Sequence, residues 1–169
     1  IDYEHRLPGA ELETLVDAVG SGAAFADLNG DDWLDLALVG GPRSPVSRAD
    51  ADNAGVRIYH NLGDGRFEDA SDASGLPSDL TAVAVAVGDV DGDGDRDLYL
   101  VDRGPNRLFL NDGTGRMSEA PEAGVGDSRF GVAATFFDME GDGDLDLYVS
   151  NYLEYDTRQT AHFAPEGFP

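Results

Sequence analysis

Short apolar runs separated by glycine- and aspartate-rich breaks dominate the chain. Residues 22–25, 82–87 and 131–137 are mostly small, β-branched or aromatic. Each is followed by an acidic stretch and then by a second apolar run, at 36–39, 98–101 and 147–149. Runs this short, bounded by turn formers, predict strands rather than helices. Third strands are expected at 56–59 and 107–110. The Gly-Asp-Gly at 63–65 and the Gly-Thr-Gly at 113–115 then read as hairpin turns into fourth strands near Phe67 and Met117. One stretch departs from the pattern. Leu12, Leu15, Val16 and Val19 lie at helical spacing, which fits an amphipathic turn or two and equally an irregular lead-in with an edge strand.

The acidic stretches are copies of one another. "FADLNGDDWLDLALV", "GDVDGDGDRDLYLV" and "FFDMEGDGDLDLYV" align as D-x-[DNE]-G-D-[GD]-x-x-D-L, starting at Asp27, Asp89 and Asp138, spaced by 62 and 49 residues. A second motif repeats with them: "NLGDGRFEDAS" from Asn61 and "NDGTGRMSEAP" from Asn111, 50 residues apart. Self-similarity at a period near 50 marks stacked supersecondary units. Four short antiparallel strands per unit is the arithmetic of a β-propeller blade. The expected fold is all-β: a lead-in over 1–19, a first blade over 20–80, a second over 81–128, and the first half of a third with an extended loop over 129–169. A closed propeller takes about four to eight blades. The remaining ones are expected from the same polypeptide or from other protein chains.

Charge narrows the partners. With 34 acidic against 11 basic residues the net charge is -23. Nucleic acids and anionic lipids need positive surface, so neither is expected as a partner. No apolar run reaches the roughly 18–20 residues of a membrane-spanning helix. Cysteine is absent, which removes disulfides and thiolate metal sites.

The loops themselves call for a cation. Five aspartates at alternate positions, Asp89 to Asp97, repel one another unless something neutralises them. Calcium takes six to eight oxygens at about 2.3–2.6 Å in flexible geometry, whereas magnesium keeps more water. Carboxylates at positions 1, 3, 5 and 9 of a tight loop can face one centre, with the position-7 carbonyl beside them. Gly92 and Gly94 permit the positive φ such a coil demands. A single copy leaves a solvated acidic turn as the lesser alternative; three copies at one spacing favour metal. Position 3 is the neutral Asn29 in the first loop and the longer Glu140 in the third, and Asp32 stands at position 6 where the other loops have glycine. An EF-hand does not fit, because its position-12 glutamate is replaced by Leu38, Leu100 or Val149.

With these motifs the chain resembles FG-GAP/VCBS repeat proteins, the calcium-binding β-propeller blades of the integrin-α type. The order "GSGAAFADLNGDDWLDL", then "VRIYHNLGDGRFEDASDASGL", further resembles the bacterial ASPIC/UnbV group. The resemblance implies up to three Ca2+ ions. Their side-chain ligands would be Asp27, Asn29, Asp31 and Asp35; Asp89, Asp91, Asp93 and Asp97; and Asp138, Glu140, Asp142 and Asp146. The carbonyls of Trp33, Asp95 and Asp144 would complete the shells. It implies a non-catalytic scaffold, adhesion or protein–protein interaction module. The alternatives are a carbohydrate-binding, lectin-like propeller and the non-catalytic portion of a larger secreted enzyme.

No enzyme is expected. His5, His60 and His162 are scattered, and no G-x-S-x-G is present. Ile1 in place of methionine points to processing or to a longer protein. Together with the lack of Asn-x-Ser/Thr, it suggests an extracytoplasmic bacterial protein. The insert 40–55 fits a recognition loop and equally a tolerated surface insertion, and Tyr152, Tyr155, Phe163 and Phe168 could pack onto a neighbour or a ligand.

Overall fold

The computed structural model describes residues 22–40 and 55–153. Strands β1 (Gly22–Ala26), β2 (Asp35–Val39), β3 (Val56–Asn61) and β4 (Phe67–Asp69) form one antiparallel sheet in sequence order. Strands β5 (Ala84–Gly88), β6 (Asp97–Val101), β7 (Arg107–Asn111) and β8 (Met117–Glu119) form a second of the same order. Strands β9 (Phe130–Phe137) and β10 (Asp146–Leu153) pair as the start of a third. The fold is all-β, and no α-helix occurs among the described residues. No helix there is long and apolar enough to cross a membrane. The proposed helical turns near Leu12, most of the 40–55 insert, Tyr155, Phe163 and Phe168 lie outside the described residues.

Side-chain alternation stacks these sheets. Val85 and Val87 of β5 join the first sheet's Ala26, Ala37, Val39 and Ile58 in one core, with Leu98, Leu100 and Phe109. Ala84 and Ala86, on the opposite face of β5, join Tyr99, Val101 and Leu108 against Ala134, Phe136, Leu147 and Val149. Strand β6 is buried along its whole length, which is why it reads as an unbroken apolar run rather than an alternating one.

Strand β5 lies between the other two leading strands, β1 and β9, and β9 also packs on β6. Small residues make this possible: a Cβ on Gly131 would stand 2.5 Å from Val101 Cγ1, and one on Gly22 would stand 3.4 Å from Ala84 Cα. This is propeller-blade packing, with two full blades and part of a third.

Strand ends differ from the sequence reading, most of all at β10, which runs to Leu153 where the reading stopped at 149, and at β3, which runs to Asn61 instead of 59. Each second strand begins one residue early, at Asp35, Asp97 or Asp146, because that aspartate already pairs across the hairpin with Ala26, Gly88 or Phe137. Strand β5 begins late, at Ala84, although Val83 still donates its N–H to Val101 O (2.8 Å).

Candidate metal centre

Each acidic loop joins the first two strands of a blade, so the three loops occupy equivalent corners of the repeat. Their shape is built by their own carboxylates. At position 1, Asp89 accepts the N–H groups of Gly92 (2.8 Å) and Gly94 (3.0 Å). Asp27 does the same for Gly30 and Asp32, both at 2.8 Å, and Asp138 for Gly141 (2.7 Å) and Gly143 (2.9 Å). At position 5, Asp31, Asp93 and Asp142 accept the N–H groups of Trp33, Asp95 and Asp144. Such coiling requires positive φ at positions 4 and 6. Gly92 and Gly94 supply it at 77° and 99°, and Asp32 adopts 68° where the other loops use glycine.

Position 9 carries a different load. Asp35 and Asp97 are fully buried. Their Oδ2 atoms accept the N–H groups of Leu28 (3.0 Å) and Val90 (2.8 Å), while Oδ1 reaches the third strand, to the N–H groups of Asn61 (2.8 Å) and Asn111 (2.9 Å). Asp146 Oδ2 likewise accepts the N–H of Met139 (2.9 Å). A carboxylate has about four lone-pair sites, so two backbone donors leave acceptor capacity for a cation.

In the second loop the carboxylates converge. Asp89, Asp91 and Asp97 each offer an oxygen, and these oxygens lie within 4.8 Å of one another. Two ligands of one calcium ion at about 2.4 Å are at most about 4.8 Å apart, so the trio fits around a single ion. Burial pushes the Asp97 carboxyl above its ordinary range, and the charges of Asp91 and Asp93 add to that against the hydrogen bonds from Val90 and Asn111. Asp95 is pushed up as well, by desolvation first and then by Asp93, Asp89, Asp112 and Asp91.

The remaining expected ligands are placed less tightly. Asp93 and Asp95 stand on the same loop but outside the convergent trio. In the first loop the Asn29 amide donates to Asp31 Oδ2 (3.0 Å), and its Oδ1 accepts the N–H of Asp31 (3.2 Å). Trp33 is half exposed, its ring set against Gly63. In the third loop Asp138, Glu140, Asp142 and Asp144 are exposed, with Asp146 half-buried. Among the described residues, neither of these loops gathers three acidic side chains as the second does.

Sequence reasoning missed Asn61 and Asn111. Each donates its side-chain amide to the carbonyl at position 8 of its own blade's loop, Leu34 (3.0 Å) or Arg96 (3.0 Å). Each also accepts the N–H of Gly63 or Gly113 in the following turn. Their signal was in plain view, since asparagine opens both copies of the second motif.

Stacked four-stranded antiparallel sheets, each with an acidic loop at the same corner, define a repeat protein of β-propeller type. A model of the FG-GAP-like repeat matches residues 46–100 and again 89–149, together more than half of the chain. The chain belongs to the FG-GAP-like repeat family. Both matches include loop 89–97, the second also takes in loop 138–146, and loop 27–35 lies outside them. No curated protein matches the chain.

Proposed function

We propose that this chain is a calcium-stabilised, non-catalytic β-propeller module that serves as an extracytoplasmic scaffold or interaction subunit. The convergence of Asp89, Asp91 and Asp97 about a buried carboxylate carries the proposal. Calcium would be held there with Asp93 and the Asp95 carbonyl. Loops 27–35 and 138–146 would take further ions through the side chains at positions 1, 3, 5 and 9 and the carbonyls of Trp33 and Asp144. Aspartates repeated at one corner of every unit suit a structural cation better than a single catalytic pair. Calorimetric titration of the chelator-treated chain tests this. Calcium binding that weakens at least tenfold in Asp91→Asn is expected for loss of one charged ligand, about 1.4 kcal/mol or more. Heats indistinguishable from dilution would contradict it.

The scaffold role rests on an unequal pair of tyrosines. Tyr99 and Tyr148 are the third residues of β6 and β10, in the matching sequences DLYLV and DLYVS. Tyr99 is fully buried, with Phe136 of the next blade edge-on at 6.3 Å. Tyr148 is 61% exposed, and Phe137 and Tyr152 are exposed as well. The partner we assign to this face is a further blade of the same repeat, seated as β9 sits on β6.

A further inference from the structure

Asn111 bonds to both of the first two acidic loops. Its backbone N–H donates to Oδ1 of Asp97 (2.9 Å), the buried carboxylate at position 9 of its own blade. Its side-chain amide donates across the blade boundary to the carbonyl of Leu28 (2.8 Å), as well as to that of Arg96 (3.0 Å). Its Oδ1 accepts the N–H groups of Gly113 and Gly115, each at 3.2 Å, so the amide cannot turn over without losing these bonds.

Leu28 is a telling place to be held. It sits between Asp27 and Asn29, its side chain is buried, and its own N–H is taken by Asp35 Oδ2. Loop 27–35 is therefore gripped from within by its position-9 carboxylate and from the next blade by Asn111. The two blades leave little slack here: a Cβ on Gly30 would stand 3.1 Å from the Gly113 carbonyl oxygen. Asn61, the matching residue of the first blade, bonds to Asp35 and Leu34 of its own blade.

We propose that Asn111 couples the two loops, so that calcium in either one raises the affinity of the other. This rests on the calcium reading above. A loop of unneutralised carboxylates is pushed apart by its own charge. A cation orders it, and with it the backbone donor on Asp97 or the carbonyl of Leu28. Both restraints fall on Asn111, so the second loop to bind finds that residue already ordered. Coupling of this kind is reciprocal.

Trp33 provides the readout. It is the only tryptophan in the chain and stands at position 7 of loop 27–35, so its fluorescence follows calcium in that loop. The titrant is calcium alone, and the protein is the whole chain. Disabling the second loop with Asp93→Asn should weaken the Trp33-reported affinity about fivefold, the low end of usual allosteric couplings. In an Asn111→Ser background that penalty should fall below about twofold, while Asn61→Ser should leave it intact. The charge lost with Asp93 acts in every background and cancels in the comparison.

An affinity indifferent to Asp93→Asn, or a penalty that survives Asn111→Ser, overturns the coupling while leaving calcium binding standing. No calcium response at all removes both. If Asn111→Ser loses its cooperative melt, NMR of the unaltered chain decides. The Asn111 side-chain amide protons should shift on filling of each loop, and a response to loop 89–97 alone counts against the proposal.

Discussion

At Asp97 two demands meet in one side chain. Its oxygens satisfy the N–H groups of Val90 and Asn111, yet burial and the neighbouring Asp91 and Asp93 disfavour its charge. Removing it leaves buried donors unpaired, which costs about 1–3 kcal/mol. Asp97→Ala should therefore lose about that much in urea denaturation even with chelator present. Asp93→Ala, on an exposed residue, should lose only the calcium-dependent part; equal losses in chelator would contradict the division. The alternate aspartates were legible because their spacing is local. The burial of position 9 was not, since it depends on Asn61 and Asn111, 26 and 14 residues further along the chain. Asp32 was legible: its positive φ follows from replacing the glycine of the other copies.

Strands were legible from composition, whereas their ends were not. An aspartate at the head of "DLALV" looks like loop until its cross-strand partner is known. Packing between elements gives a sharper test at Gly131, where a Cβ would collide with Val101. Gly131→Ala should push β9 off β6 and cost about 1–3 kcal/mol, read from the denaturation midpoint. A neutral result would mean that β9 and β6 are not in close contact.

The start of β9 is tied down by Asp127. Its carboxylate holds the guanidinium and N–H of Arg129 and the side-chain amide of Asn151 on β10, while its carbonyl accepts the N–H of Asn106. The Arg129 guanidinium, chiefly, holds this carboxyl far below its ordinary value of 3.8. A depressed folded-state value means stabilisation that is complete above the unfolded value and fades as pH falls toward the folded one. Asp127→Asn should thus lower the melting temperature at about pH 7, with the gap closing toward about pH 2. A gap that is constant with pH would contradict the pairing.

Among the described residues the repeat leaves one blade face covered and its counterpart exposed. Tyr99 is enclosed and Tyr148 is not. The repeat period made this stacking legible. Light scattering should show the 169-residue chain associating, and Tyr148→Asp should reduce that association. A monomer with a cooperative melt would speak against a blade on this face.

The charge ledger is the larger issue, because a net charge of -23 on so small a chain opposes the compact state. Calcium bound to the folded chain alone offsets it by mass action, adding about 2.7 kcal/mol per site at a hundredfold excess over Kd. The most direct measurement is thermal unfolding in saturating calcium and in excess chelator. One occupied site should raise Tm by about 5–10 °C, and further sites should raise it more. Superimposable melting curves would mean that the aspartate loops hold no calcium.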